Sequence, residues 1–421
     1  MILEIRLTNF YSIKDEVVLD LRAANIKTQK AKSLSDNTIT FGDTEVLKTA
    51  AIYGANASGK SNIIKAIRFC CSMIFSSHLN NNENTIFNFK TFKFKGFDKK
   101  PSSFIIRFIS KGIEYEYGFS LTIHEIVTEE LFYYPKGRKV KVFTRDERLG
   151  KDKSEVYSFG SVIKKPLDVA DNTSRKTLYI SRASQMDREI GKEIFTFFNE
   201  KFILGYVGFN GLSVERLFQE NKAQLLKALK IADSDIQEIK IRKEKVAGKN
   251  INADLATQKL TVKDIEQEHL LVTTFHKSNP EVPFDLHTEE SDGTREMFFI
   301  MLTILDIIKH DKILLIDEIE QSLHNKIVEY IVSLFHASSK AQLIFTTHNT
   351  HLLNLERFRK DQVFFVNKKP DGSSDLYSLF DYKDFRDTMD LEKAYLQGRF
   401  DAIPYINSSI SNLKELMHET K

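Results

Sequence analysis

The stretch Leu47-Lys48-Thr49-Ala50-Ala51-Ile52-Tyr53-Gly54-Ala55-Asn56-Ala57-Ser58-Gly59-Lys60-Ser61-Asn62 decides the fold. Leu47 to Tyr53 reads as a buried strand. Ser61 to Phe75 reads as a helix, with Ile63, Ile64, Ile67, Cys71 and Ile74 at helical spacing. Between them, Gly54 to Ser61 fits G-x-x-x-x-G-K-[ST] in full, in the strand–loop–helix setting that motif requires. Glycines let the backbone curl until several N–H groups face one point in front of a helix N-terminus, a concavity that suits a polyphosphate. Gly54, Ala55, Asn56, Ala57, Ser58, Gly59, Lys60, Ser61 and Asn62 are therefore expected to hold a nucleotide. Lys60 would reach the β- and γ-phosphates, and Ser61 would coordinate Mg2+.

Outward from this loop, residues 2–21 read as two short strands around Asn9-Phe10-Tyr11-Ser12, and Phe87 to Tyr157 as an antiparallel β region with a hairpin at Lys111-Gly112. Helical signals dominate from about 183 to 232, and short strands are expected between 238 and 276, around the charged run Lys240-Ile241-Arg242-Lys243-Glu244-Lys245. The last third returns to an α/β rhythm. A helix over Thr294–Ile308 leads into a strand at Ile313–Ile316, and a helix near Leu323–Phe335 into a strand at Gln342–Phe345. Strands at Val363–Val366 and Leu376–Leu379 flank the turn Pro370-Asp371-Gly372. The fold class is α/β.

Composition excludes several classes. Of 421 residues, 42% are hydrophobic and 28% charged, which is ordinary for a globular protein. The net charge of +3 is too small to call for a nucleic-acid or membrane partner by bulk charge. Two adjacent cysteines, Cys70 and Cys71, make neither a disulfide framework nor a zinc cage and point to a reducing, cytoplasmic compartment. No apolar run approaches the length of a membrane span, so no membrane partner is expected.

Three further elements carry chemistry. Ile313-Leu314-Leu315-Ile316-Asp317-Glu318 is a buried strand ending in two acids. In phosphoryl transfer, one acid there holds Mg2+ and a second orients the attacking water, which assigns Asp317 and Glu318 respectively. Glu320 reads as a solvated turn residue or one in a supporting role. Glu289-Glu290-Ser291-Asp292-Gly293-Thr294-Arg295 reads either as an ordinary helix N-cap or as a signature. In the second reading, Ser291 and the Gly293 amide touch the γ-phosphate of a nucleotide held by another subunit. Leu343-Ile344-Phe345-Thr346-Thr347-His348 is a strand ending in a histidine suited to sensing the γ-phosphate. His348 and His351 lack the neighbouring carboxylate or cysteine cluster that a metal pair would need.

Phosphate loop, signature, acidic strand and switch histidine, in that order, resemble the ABC-type ATPase superfamily, in its soluble branch of chromosome-maintenance, RecF-like and defence ATPases. Asn9-Phe10-Tyr11-Ser12 is similar to that branch's opening Asn-Phe-Arg-Ser, with Tyr11 in place of a basic residue. Glu290 to Thr294, Asp317 to His324, and Leu391 to Phe400 followed by Ile403-Pro404 resemble the RloA-like, abortive-infection-associated ATPases. Asn325 and Asp401 depart from their pattern.

The resemblance implies an ABC-type P-loop NTPase core with an antiparallel β region and an inserted helical segment. The core halves would be 1–85 and 285–421, the β region 86–165, and a mainly helical insertion with short strands 166–284. It also implies ATP and Mg2+ as cofactors, Glu318, His348 and Lys60 as catalytic groups, and a head-to-tail homodimer or higher oligomer. Gln185 is a candidate Q-loop glutamine and metal contact, though a helix-capping or surface glutamine fits the same sequence.

Two function classes follow. One is a defence ATPase, like those of the Septu and PARIS systems, that controls a separately encoded nuclease or toxin. The other is a repair ATPase that clamps DNA, with Lys240–Lys245 as its candidate basic surface. A transporter motor fits less well, given the terminal motif.

Overall fold

The computed structural model describes residues 1–403 apart from 81, 83, 95, 151, 206–210, 232–234, 255–258 and 322, and only the backbone of 211–213 and 246–269. Pro404 of the terminal motif and Ser322 lie outside the described residues. The chain divides into two units. The first comprises Met1–Leu204, Asp311–Gln321 and the chain from Val328 onward, and the second Gly205–His310 with Ser322–Ile327.

Two large sheets and a small pair, Thr38–Phe41 with Thr44–Leu47, lie in the first unit. One large sheet is antiparallel and seven-stranded, in the order Tyr157–Phe159, Val140–Asp146, Ile126–Tyr133, Ile113–Leu121, Ser102–Ser110, Ile2–Thr8, Val17–Asp20. Its hairpin turns at Lys111-Gly112, both at positive φ, which matches the twist of the flanking strands. The other sheet runs Phe202–Ile203, Ile313–Ile316, Gln342–Thr346, Thr49–Gly54, Val363–Lys368, Ser374–Ser378. It is parallel except for its last pair.

The helix Lys60–Ser76 buries Ile63, Ile64, Ala66, Ile67, Cys70, Cys71, Met73 and Ile74 in one core shared by residues of both sheets. Lys65 and Ser72 stay exposed, so the helix is amphipathic, with a broad apolar face turned into the core. Around Phe10 that core is aromatic, with Phe69, Phe89 and Phe104 at ring distances of 5.5–6.1 Å. Gln342, 1% exposed, joins the two sheets. Its side chain accepts from Ile2 N at 2.6 Å and donates to the carbonyls of Ile2 and Leu47 at 3.0 Å each. A buried amide with all these bonds made fixes the offset between the layers.

In the second unit, Ile236–Asp254 and Lys259–His276 form one long antiparallel ribbon, with Asn279–Asp285 as a third strand against its base. The short strands expected between 238 and 276 are thus parts of two strands of 19 and 18 residues. Alternation in Ile239, Ile241, Leu260 and Val262 marks strand character but carries no information on where a strand ends. The helices Gly211–Ile231 and Asp292–Lys309 pack together in this unit, with Phe218 against Phe298. The stretch that precedes the acidic strand therefore belongs with the ribbon, not with the sheet that strand enters.

Candidate functional site: a phosphate loop and two strand ends

Thr49–Gly54 is buried at every residue and runs directly into the loop. Two glycines are required there by space. A Cβ on Gly54 would lie 2.5 Å from Val366 O and 2.7 Å from Ser58 Oγ. Gly59 has φ +111°, and a Cβ on it would lie 2.2 Å from Ser374 Oγ and 2.6 Å from Ser12 Oγ. Ser374 Oγ bonds Ser58 O and Ser12 Oγ, and Asn62 Nδ2 donates to Ser12 Oγ at 2.7 Å. Ser12 and Ser374 thus clamp the loop, and sequence reasoning missed both in that role. The Asn-Phe-x-Ser stretch contained the signal for Ser12: Asn9 is held by the carbonyls of Phe97 and Lys100, Phe10 enters the core, and Ser12 reaches the loop. Tyr11, in the place of the expected base, lies under Lys65, with Nζ 5.8 Å from the ring centre.

Lys60 is 5% exposed. Its Nζ donates to Gly54 O at 2.7 Å and Ala55 O at 3.1 Å, and among the described residues no carboxylate lies within ion-pair distance. Burial lowers its pKa, opposed by the more distant Glu318, Asp317 and Glu320. Ser58 Oγ in the same loop is buried without a hydrogen-bond partner. A buried cation held by carbonyls alone and an unsatisfied hydroxyl in a curled loop suit an anion with several acceptor oxygens.

Parallel register brings the other residues to this loop. Val366 pairs with Gly54, Thr346 with Ile52, and Ile316 with Phe345, so adjacent strands end at the same level. The carboxyl ends of parallel strands are where such sheets bind ligands. Asp317 accepts from Thr346 Oγ1 at 2.6 Å, and the same hydroxyl accepts from Glu318 N at 2.7 Å. Glu318 has φ +53°, a left-handed conformation unusual for a side-chain-bearing residue and characteristic of functional positions. Its side chain is half exposed, and its Oε1 lies 4.0 Å from His348 Nε2. Burial, then Lys60, lowers the His348 pKa, so the ring is neutral near pH 7.

Glu320 is not a solvated turn residue. One carboxylate oxygen accepts from Thr347 Oγ1 at 2.7 Å and the other from His348 N. Beyond His348, Thr350 Oγ1 donates to Glu392 at 2.7 Å, and His351 Nδ1 lies 3.4 Å from the same carboxylate. The terminal motif is therefore tied to the loop that follows His348. Tyr395 and Phe400 of that motif pack on Phe365 beside Tyr53, whose hydroxyl donates to Asn349 O.

Gln185 is not brought to this cluster. It ends the helix Tyr179–Gln185 and is exposed. That helix is tied to Ser77 and His78, which follow the last turn of Lys60–Ser76, at the opposite end from the phosphate loop. Its sequence signal, a glutamine after an apolar run, is equally that of a helix end. Ser291 and Gly293 lie in the second unit. Ser291 caps its helix, with Oγ accepting from Thr294 N at 3.1 Å, and is exposed, as is Gly293. The preceding Glu290 accepts from Thr274 Oγ1 and His276 Nε2, which anchors this turn to the base of the ribbon. In the charged run, Lys243 pairs with Glu215 and Lys240 stacks on Phe275, as expected of a solvated face. Among the described residues no helix is long and apolar enough to cross a membrane.

No curated protein matches the chain. Similar solved structures include the SMC head bound to the C-winged helix domain of ScpA, at 16% identity and TM-score 0.39, covering 94% of this chain and 99% of that one. Another is the SMC head domain from Thermotoga maritima, at 14% identity and TM-score 0.40, covering 90% and 98%. The family model described as "AAA domain, putative AbiEii toxin, Type IV TA system" matches residues 50–354, well over half of the sequence, and the chain belongs to this family of P-loop ATPases.

Proposed function

We propose that this chain is a Mg2+-dependent ATPase in which ATP closes two copies head to tail and hydrolysis reopens them. We assign it as the ATPase component of a bacterial anti-phage system that controls a separately encoded toxin or nuclease. The observation that carries the ATPase reading is the arrival of Lys60, Asp317, Glu318 and His348 at the ends of three adjacent parallel strands. The family's own description, which names a toxin and a toxin–antitoxin system, supports the partner class.

The residues present fit ATP and Mg2+. In this reading, Lys60 would exchange its bonds to Gly54 O and Ala55 O for phosphate oxygens, and Ser61 and Asp317 would hold the metal. Bound Mg2+ supplies charge neutralisation on the transferring phosphoryl group. Glu318, half exposed and beside a neutral His348, orients the attacking water and accepts its proton. Ser291 and the Gly293 amide of a second copy complete the site from the N-terminus of their helix.

ATP turnover, measured with and without duplex DNA alongside mass by light scattering, tests this reading. DNA-independent hydrolysis with an ATP-dependent oligomer is expected, and Glu318→Gln should cut turnover at least about a hundredfold while accumulating that oligomer. Normal hydrolysis by Glu318→Gln overturns the base assignment. Strong, salt-sensitive DNA stimulation replaces the defence reading with a DNA clamp.

A further inference from the structure

We propose that Glu320 is a positioning residue that sets the backbone of the switch loop so that His348 faces Glu318. This rests on the ATPase reading above. Two consecutive threonines at the end of Gln342–Thr346 each take one acid of Asp317-Glu318-Ile319-Glu320. Thr346 Oγ1 bonds Asp317 at 2.6 Å and Thr347 Oγ1 bonds Glu320 at 2.7 Å. The side chain of Ile319, fully buried, anchors the turn between them, and its N–H donates to Thr346 O at 3.1 Å. The flanking acids are thus committed to the neighbouring strand, and the middle one, Glu318, is turned outward toward His348 Nε2.

Glu320 does more than tether a hydroxyl. Its second oxygen takes the backbone N–H of His348, so the residue carrying the imidazole is fixed at its own peptide. Thr347 Oγ1 also accepts from Asn349 N at 3.0 Å, which places three successive residues of the loop under one carboxylate. Bonds to an ionised acceptor are about twice as strong as neutral ones. The carboxylate also lies near the imidazole and opposes the loss of its proton. Glu320 touches no reacting atom in this assignment, and its effect passes through the position of His348.

The test uses the full chain with Glu320→Ala, Glu320→Gln, His348→Ala and the Glu320→Ala/His348→Ala double variant. In nucleotide-free protein, amide hydrogen exchange over residues 346–350 is expected to accelerate about tenfold or more in Glu320→Ala. Glu320→Gln keeps an acceptor oxygen for His348 N–H and should stay within about threefold of wild type. Glu320→Ala should lower kcat about tenfold or more with ATP affinity within about threefold of wild type. In the His348→Ala background the same change should cost less than about twofold.

Unchanged exchange overturns the proposal, and so does a kcat loss that is fully additive with His348→Ala. A general fall in ATP affinity and melting temperature, shared by Glu320→Gln, also overturns it, since that is the mark of a merely structural residue. If the wild type turns over no ATP, the ATPase reading falls, and hydrogen exchange alone then decides whether Glu320 holds the loop.

Discussion

Lys60 and Arg145 are both buried cations, and the first unit treats them in opposite ways. Arg145, in the antiparallel sheet, is 1% exposed and fully engaged. It bonds Glu147 at 2.8 Å and the carbonyls of Thr177 and Ser174 at 2.7 and 3.0 Å, with Glu129 at 3.5 Å. Glu129, itself fully buried, also receives Tyr117 OH and the N–H groups of Tyr179 and Ile180. That network closes on itself and leaves no room for a ligand. Lys60, in the parallel sheet's loop, has only two carbonyls among the described residues. Burying a charge is costly unless it is paired, so a closed network reads as architecture and an open one as a site waiting for its counter-ion. His336 illustrates a third solution. Between Thr49 and Gln362 it is buried in its neutral form, with burial and then Lys48 holding its pKa down at about 3.

The largest effect that would break this contrast is at Arg145. Arg145→Ala leaves the buried Glu129 without its cation, while Glu147 keeps Arg175 at 3.1 Å, and should destabilise the fold by about 3–5 kcal/mol, read from urea unfolding. If it costs less than about 1 kcal/mol, the closed network is not structural. Next is Lys60→Ala, which should weaken ATP binding about a hundredfold or more by calorimetry, yet change unfolding free energy by less than about 1 kcal/mol. A large stability loss there would make Lys60 architectural like Arg145.

The smallest effect is the pH dependence at His336. A histidine with a lowered folded pKa binds its proton in the unfolded chain first. Its contribution is therefore fully present above about pH 6.5 and is lost as the pH falls toward about 3. Between pH 6.5 and 5 this amounts to roughly 2 kcal/mol. Replacing His336 by Asn, which does not titrate, should flatten that part of the stability profile. An unchanged slope would show that His336 is not kept neutral.

Some of this site was legible in the chain because its chemistry is local. The phosphate loop needs contiguous residues, since its amides must converge on one point. Asp317, Glu318 and His348 were legible because each directly follows an apolar strand, and a polar residue at a strand end is where a sheet meets solvent. Which role Glu320 takes in its turn was not legible, because its partners, Thr347 and His348, lie 27 and 28 positions away. Gln185 was singled out from a local pattern that does not distinguish a loop glutamine from a helix end.

By itself, the sequence determined the strand–loop–helix unit, the α/β rhythm and the identities of the acids and the histidine, since all of these depend on spacings within about twenty residues. Tertiary structure alone decided four things. Three parallel strands end level with one another, Ser12 and Ser374 close on Gly59, Ile236–Asp254 and Lys259–His276 pair as one long ribbon, and Lys60 has no carboxylate partner among the described residues. Each of these depends on register and on pairing between distant segments. Those are set by which apolar faces can be buried together, a condition that no local stretch of sequence contains.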